Sequence, residues 1–309
     1  MTFLVTWEPV LQLLIQLLAF SGGVVFFRGL FEEKREVLLA AALYMVNPWR
    51  YEYGLGQGNW QRGLAWSLVP WCLGLFFVLV RPKMQEKRAK KWMGMTLAGL
   101  GSVCALVAIG MLYPVLFCLS CVLAVYLLLA IPASKAEKDI KAVGVLAILG
   151  SGLIWALVQR DFLYYLLRDG VVYGAPIQNI TPKGYTAADF LTTFAWQPGK
   201  PGLGLLLMAG LALWAYVRFV KEQKLLDRTK RWLGIAGVLC LPLASVYFPW
   251  ELVQRLSPLT LKLVSQLETP AVFVGFAILL LPAVAIPAVS FLWTDRKKNK
   301  NGKERGRKL

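Results

Sequence analysis

The sequence predicts an all-α, polytopic integral membrane protein with about nine transmembrane helices and interfacial helices on the outer face. Composition is the first reason: 58% of the 309 residues are hydrophobic, 17% are charged and the mean hydropathy is +0.58, unlike a water-soluble domain. The second is that clusters of Lys and Arg bound the apolar runs on alternate sides. Of the 34 basic residues, 26 fall in one set of loops and 8 in the other. Because basic residues are retained in the cytoplasm, the richer set is predicted to lie there.

Nine apolar runs are candidate spans, since a helix needs about 20 residues of about 1.5 Å each to cross a bilayer. They are Leu4–Phe27, Val37–Tyr53, Leu64–Val80, Trp92–Leu112, Val115–Ile131, Ala142–Val158, Leu203–Val220, Trp232–Tyr247 and Val272–Trp293. The second run is the weakest, because its apolar part stops at Asn47-Pro48, and we interpret it as a half-span that unwinds into a loop. Pro114 interrupts a long apolar run after Tyr113 and predicts a tight hairpin on the outer side.

Charge and span number together predict the orientation. Residues 1–295 form one multi-spanning domain of the cell membrane, and residues 296–309 form a basic cytoplasmic tail. With nine crossings, the N-terminus lies outside. The first apolar run has no basic segment before it and no cleavage pattern of small residues, so we do not expect a cleavable signal peptide. An outside N-terminus without such a peptide leads us to expect that an odd number of preceding helices is missing.

The two sets of loops differ in character. The cytoplasmic loops are short and charged, and we expect them only to anchor helices at anionic lipid. The outer loops are longer and contain two candidate interfacial helices, one with leucines at helical spacing and one rich in aromatic residues. The first contains Leu252, Leu256, Leu259, Leu263 and Leu267, with a bend at Pro258; the second contains Phe162, Tyr164, Tyr165 and Leu166. Thr186 is expected to cap a short helix that carries Phe190 and Phe194, with Asp189 as a cap or a solvated loop charge.

Several kinds of chemistry are excluded or disfavoured. The chain has no histidine, which excludes His general-base catalysis and His-ligated haem. Its five cysteines all lie in apolar runs and are interpreted as packing residues, so neither a metal nor a cofactor is expected. The net charge of +17 divides into +16 on the cytoplasmic side and +1 outside, a division that reflects topology and not binding of nucleic acid.

The outer loop from Asn47 to Gly63 is the richest in polar chemistry. It holds two arginines, a carboxylate and four aromatic residues between two apolar runs. Ionisable groups at membrane depth are costly unless they are used or paired, so we predict an outward-opening cavity lined by Arg50, Glu52, Arg62 and Trp250. Arg50 and Arg62 are suited to grip a lipid-linked phosphate, because guanidinium offers two parallel donors. The alternative is that Arg50 and Glu52 pair locally while the aromatic residues form an interfacial belt.

Two stretches resemble a known family. The run Tyr44-Met-Val-Asn-Pro-Trp-Arg-Tyr, followed by Arg62-Gly63 and a span with Pro70, resembles a segment of bacterial GT-C-type polytopic glycosyltransferases, including the YfhO-like family. Phe248-Pro249-Trp250, followed by Gln266 and Pro270, is similar to an outer loop of that family. The resemblance implies an integral membrane transferase that moves a sugar from a polyprenyl-phosphate donor to an acceptor on the outer surface.

Sugar transfer needs a carboxylate to accept the proton of the acceptor and cations to stabilise the departing phosphate. Glu52 beside Arg50 is our first candidate for the catalytic base, and Glu251 beside Trp250 is the second. Arg50, Arg62, Trp250, Arg255 and Gln266 are the candidate substrate-binding residues. Whether the chain is an enzyme stays open: the alternative is a non-enzymatic transporter or partner subunit that binds lipid-linked phosphates.

The chain departs from the family pattern at three places. The family has a catalytic acidic residue between its first two helices, and nothing here corresponds to that loop. Trp66 and Ser67 stand where such proteins often have Glu. Val272 and Phe273 stand where Arg is expected. These departures are compatible with a degenerate member of the family.

Overall fold

The computed structural model describes residues 2–47, 60–80, 88–130, 135–161, 163–164, 171–172, 175–176, 184–191, 200–219, 227–256 and 270–293. These residues are almost entirely helical. The helices are α1 (Thr2–Arg28), α2 (Lys34–Met45), α3 (Trp60–Val80), α4 (Arg88–Leu112), α5 (Pro114–Ala130), α6 (Lys135–Val158), α7 (Ala187–Leu191), α8 (Gly202–Phe219), α9 (Arg228–Ala244), α10 (Trp250–Arg255), α11 (Ala271–Leu280) and α12 (282–293). Between α6 and α7, strands β1 (Val171–Val172) and β2 (Ala175–Pro176) pair antiparallel in a short hairpin.

Each of the nine apolar runs overlaps a helix, and the last overlaps two, although several boundaries differ from expectation. In the second run α2 ends at Met45 and is only about 18 Å long at about 1.5 Å per residue, which agrees with its interpretation as a half-span; residues 48–53 lie outside the described residues. The eighth was expected to begin at Trp232, yet α9 begins at Arg228 because the Asp227 carboxylate caps it by accepting from the Lys230 N–H at 2.8 Å. Its end at Ala244 precedes the expected Tyr247.

Three helical stretches among the described residues are long and apolar enough to cross a membrane, judged by length and composition: Trp7–Arg28, Lys141–Val158 and Val272–Trp293. The outward faces of several helices agree with a hydrocarbon environment. On α6, for example, Leu146, Leu149, Leu153 and Leu157 are all exposed, and α1 exposes Leu13, Leu14 and Leu17. Water would disfavour apolar surfaces of this extent, whereas lipid chains solvate them.

The centre of the protein is formed by α11 and α12, in which every residue from 272 to 288 is buried. Pro282 lacks an N–H and separates the two helices at Leu281, which keeps its own hydrogen bond to the Ala277 carbonyl at 2.9 Å. Glycines bring α9 against this pair: a Cβ on Gly234 would lie 2.6 Å from Val284. The small residues of α9 therefore let the central helices fit closely beside it.

Helices α1 and α3 pack unusually closely. A Cβ on Gly74 of α3 would lie 2.7 Å from the backbone nitrogen of Phe26 in α1, so only glycine fits this crossing. Two polar side chains of α3 also donate hydrogen bonds to backbone carbonyls of α1. They are the Ser67 hydroxyl and the Trp71 indole N–H, and each donor–acceptor distance is 3.0 Å. Small residues and interhelical hydrogen bonds are the usual means by which helices associate in lipid.

The predicted hairpin at Pro114 is confirmed. Helix α4 ends at Leu112, and Pro114 is the first residue of α5, where its missing N–H costs nothing. Between them, the buried Tyr113 donates its backbone N–H to the Ile109 carbonyl at 2.7 Å. The hairpin thus fixes Tyr113 at the turn of the two helices.

Candidate functional site

The predicted site residues divide into two groups. Arg50, Glu52 and Gln266 lie outside the described residues. Arg62, Trp250, Glu251 and Arg255 lie within them, at the end of the helices that also carries the Tyr113 turn. We call this the Arg62 end, and we call the opposite end, where α9 begins, the Lys230 end.

Arg62 lies in the first turn of α3 and is partly buried. Its guanidinium carbon is 5.4 Å from the centre of the Tyr113 ring, a cation–π distance. Because Tyr113 is held in the α4–α5 turn, this contact restricts the position of the Arg62 charge. The cation is therefore placed between α3 and the hairpin at the end of the helix bundle.

Trp250 begins α10 and is buried against other aromatic rings. Its ring stacks on Phe273 with centroids 5.7 Å apart and an interplanar angle of 19°, and it lies 4.6 Å from the ring of Phe248. Its indole N–H is buried and has no hydrogen-bond acceptor in the part of the chain that the structure describes. Because a buried donor without an acceptor is destabilising, this N–H is a candidate to bind an oxygen of a ligand.

A row of aromatic side chains connects Trp250 with Arg62. Phe273, under Trp250, lies one helical turn before Phe276 in α11. The Phe276 ring packs edge-on against Trp66 with centroids 5.1 Å apart. Trp66 in turn lies about one turn after Arg62 in α3. The two predicted binding residues consequently belong to one packed assembly, although they are 188 positions apart.

Four buried residues, Trp66, Ser67, Val272 and Phe273, take part in packing at this end. Trp66 is fully buried, and it fits against Gly275, where a Cβ would lie 2.7 Å from two of its ring carbons. Ser67 is buried and donates to a backbone carbonyl of α1. Val272 and Phe273 are buried as well, and Phe273 stacks on Trp250. These contacts join α3 and α10 to α11.

Helix α10 presents its polar residues on two faces. Glu251 and Arg255 are exposed, whereas Trp250 and Gln254 are buried. Glu251, the second candidate for the catalytic base, is thus exposed next to the buried Trp250, and its catalytic role stays a prediction. Sequence reasoning overlooked Gln254, although its position four residues after Trp250 places both on the same helical face. A buried amide beside a buried indole makes it an additional candidate for polar recognition.

A segment of the loop between α6 and α8 lies over the end of α9. The Tyr185 N–H donates to the Ala244 carbonyl at 2.9 Å, and the Val246 N–H donates to the Tyr185 carbonyl at 3.0 Å. This pairing needs glycine at position 184, because a Cβ there would lie 2.6 Å from the Ser245 carbonyl oxygen. Residues 184–191 are thereby attached to the strand-like stretch that leads to Trp250.

The expected cap of the short helix α7 is confirmed. The Thr186 hydroxyl accepts from the Asp189 N–H at 3.3 Å, and the Asp189 carboxylate accepts from the Thr186 hydroxyl and N–H at 2.7 and 2.8 Å. Lys200 adds an ion pair at 3.4 Å. The Thr186 hydrogen bonds, with a smaller contribution from Lys200, lower the pKa of Asp189. Phe190 is buried, as expected, and Phe194 lies outside the described residues.

The described residues contain no group of three or more Cys, Asp or Glu side chains suited to hold a metal ion. The chemistry that the described part of the Arg62 end offers is that of a positioned guanidinium, a buried indole donor and an aromatic surface. No family model, curated protein or solved structure matches this chain.

Proposed function

We propose that this chain is a multi-pass cell-membrane protein of GT-C-like architecture that binds a polyprenyl-phosphate-linked sugar at the Arg62 end. In the first form of the proposal it transfers that sugar on the outer face, with Glu52 as general base. The observation that carries the proposal is the aromatic row with the Arg62 guanidinium near one end and, at the other, the buried Trp250 indole N–H, which has no acceptor among the described residues. This arrangement combines a guanidinium that can bind a phosphate with an indole N–H that can donate to a sugar oxygen.

Contacts between distant segments agree with the grouping of loops in the proposed topology, which has nine spans and the N-terminus outside. Lys230, expected in the cytoplasm, lies 5.8 Å from the ring of Phe31, which belongs to another expected cytoplasmic loop. Arg62 and Tyr113 are both expected outside, and they are in contact. The pairing of Tyr185 with the end of α9 again joins two expected outer segments. These pairs agree with the side to which charge assigns each loop.

The proposed transfer uses residues in defined roles. The Glu52 carboxylate accepts the proton of the acceptor hydroxyl while that oxygen bonds to the anomeric carbon of the sugar. The bond from the anomeric carbon to the phosphate oxygen breaks, and the polyprenyl phosphate leaves with the electron pair. Arg50 and Arg62 stabilise the negative charge on the departing phosphate. The roles of Glu52 and Arg50 rest on the sequence.

A second function is favoured by one specific observation. Trp66 and Phe273 fill, as buried packing residues, positions where the resembling family often has charged residues. A chain with those substitutions fits a degenerate relative that binds a lipid-linked phosphate without transferring its sugar. Such a protein would act as a transporter or partner subunit and would use the same Arg62 and Trp250.

Reconstitution into liposomes that contain a radiolabelled polyprenyl-phosphate sugar tests both forms. If the chain is a transferase, Glu52→Gln lowers the rate of sugar transfer by about 100-fold or more while the lipid still binds. If it only binds, Glu52→Gln changes nothing, and Arg62→Gln weakens retention of the lipid. Arg160→Gln is the matched control, because Arg160 is on the same side, is 81% exposed and lies outside the site.

Two results would overturn the proposal. One is unchanged retention of the lipid by Arg62→Gln and Trp250→Phe, which would leave the Arg62 end without a binding role. The other is loss of assembly in Arg62→Gln with lipid binding intact in the assembled fraction. That result would make Arg62 a structural residue.

A further inference from the structure

A concave surface outside the Arg62–Trp250 site lies between α8 and α9. It is a groove with a volume of about 210 Å³ that begins near the Lys230 end. Helix α8 contributes Leu213 and Tyr216, helix α9 contributes Ile235, Val238 and Leu239, and Arg231 is the charged residue among those that line it. From Arg231 to Leu239 the groove follows α9 for about 12 Å, at about 1.5 Å per residue.

We propose that this groove binds one acyl chain of an anionic phospholipid of the cytoplasmic leaflet, whose phosphate contacts Arg231. The assignment to a leaflet rests on the orientation in the proposed function. The assignment of the ligand rests on the groove itself, which is apolar along its length and cationic at its mouth.

The charge around the mouth favours an anion. Arg218 lies in the last turn of α8, and Arg231 lies in the first turn of α9. Asp227, the carboxylate that precedes α9, is engaged in capping α9 and in an ion pair with Lys230 at 3.9 Å. Clusters of Lys and Arg at the cytoplasmic surface attract anionic headgroups, and guanidinium binds phosphate oxygens in pairs.

The dimensions favour a lipid chain over a protein helix. A dry apolar cavity of about 150 Å³ accommodates a molecule of the size of benzene, so a groove of about 210 Å³ accommodates a short length of hydrocarbon chain. A helix of another protein, about 10 Å wide with its side chains, is too large for it. Gly234 and Val284 both line the groove, and they pack closely because position 234 has no Cβ, which would lie 2.6 Å from Val284.

The test uses the full chain in detergent micelles, titrated with dioleoyl phosphatidylglycerol or dioleoyl phosphatidylcholine, and native mass spectrometry to count bound lipids. The wild type is expected to retain one phosphatidylglycerol in preference to phosphatidylcholine. Arg231→Gln is expected to weaken phosphatidylglycerol binding about fivefold. Arg228→Gln is the matched control: it removes the same charge from the same turn, but Arg228 lies 5.9 Å from the Trp232 ring and does not line the groove.

A second pair of variants tests the acyl chain. Val238→Trp fills the groove and is expected to abolish the retained lipid, whereas Val217→Trp, on a residue of α8 that is 78% exposed and outside the groove, leaves it. Equal losses in Arg231→Gln and Arg228→Gln, or undiminished binding in Val238→Trp, would overturn the proposal. So would equal competition by glycerol 3-phosphate, because a headgroup without chains would then suffice.

The outcome is separable from that of the proposed function. Failure of sugar transfer or of polyprenyl-phosphate binding leaves the phosphatidylglycerol titration unchanged, since Arg231 lies at the other end of α9 and neither Arg231 nor Val238 belongs to the aromatic row between Arg62 and Trp250. Labelling of the Lys230→Cys variant from outside intact cells would overturn the assignment to the cytoplasmic leaflet.

Discussion

The contact of Trp66 with Gly275 predicts that Gly275→Ala destabilises the protein by about 1–3 kcal/mol, the usual cost of overpacking a core. A Cβ at position 275 would overlap the Cη2 atom of Trp66 and lie 2.7 Å from its Cζ2 and Cζ3 atoms. Carbon atoms ordinarily meet at about 3.5 Å, so the ring or the helix must move by at least about 0.8 Å.

Neither partner can move easily. The Trp66 ring is fully buried and packs edge-on against Phe276. Its backbone is also held, because the buried Tyr44 hydroxyl donates to the Trp66 carbonyl at 2.6 Å. Gly275 lies in the middle of α11, which is buried on all sides. The clash is therefore expected to be relieved by strain and not by a simple rotation.

The assay is denaturant unfolding of the detergent-solubilised protein, followed by tryptophan fluorescence and circular dichroism. Gly210→Ala is the matched control, because a Cβ at position 210 of α8 meets nothing within 4 Å. There the same substitution should stabilise the protein by about 0.5–1 kcal/mol, through the better helix propensity of alanine. One chemical change is thus expected to have opposite signs at two sites.

A double-mutant cycle with Trp66→Phe identifies the cause. The smaller ring vacates the space, so Gly275→Ala should cost less in that background, with a coupling of about 0.5–3 kcal/mol. The reasoning is refuted if Gly275→Ala is as stable as Gly210→Ala, or if its cost is the same with Phe at position 66.

Two further predictions concern the segment over the end of α9. Because the pKa of Asp189 is lowered in the folded protein, the stability that this carboxylate provides is present above the ordinary Asp value of about 4 and is lost as pH falls through the lowered value. Hydrogen exchange of residues 184–191 should therefore accelerate on acidification, and Asp189→Asn should abolish that pH dependence; Thr186→Ala should cost this short helix about 1 kcal/mol. Gly184→Ala should detach residues 184–191 from the end of α9, because its Cβ would lie 2.6 Å from the Ser245 carbonyl oxygen. Limited proteolysis should then cut this segment faster than in the wild type, and unchanged cleavage would contradict the prediction.

The helices could be predicted from sequence because each depends on local signals. An apolar run of sufficient length and a proline at position 114 are enough to define α4, α5 and the turn between them. The first and last residues of a helix are harder to predict from the sequence, because they depend on single hydrogen bonds. The Asp227 carboxylate adds a turn to α9 before its apolar part begins. The end of α2 at Met45 shortens the second run by half a span.

The packing of the candidate site could be predicted only in part. The sequence suggested that Arg62 and Trp250 lie at the same end, and the structure places both there. The cavity between them stays a prediction. The fit of Trp66 against Gly275 joins positions more than 200 residues apart, and no periodicity within either helix indicates it. The burial of Gln254 likewise depends on how α10 rests on α11, which is a property of tertiary structure.

The central position of α11 and α12 has a consequence for biogenesis. The ribosome synthesises α1 to α9 before the residues around which they pack have been made. Trp66, Gly234 and Gly237 thus lack their contacts with α11 and α12 while the chain emerges, and this part of the packing is a late event that follows insertion of the earlier helices. A nascent chain interrupted before residue 271 therefore exposes the apolar surfaces of α3 and α9 that α11 and α12 cover in the finished protein.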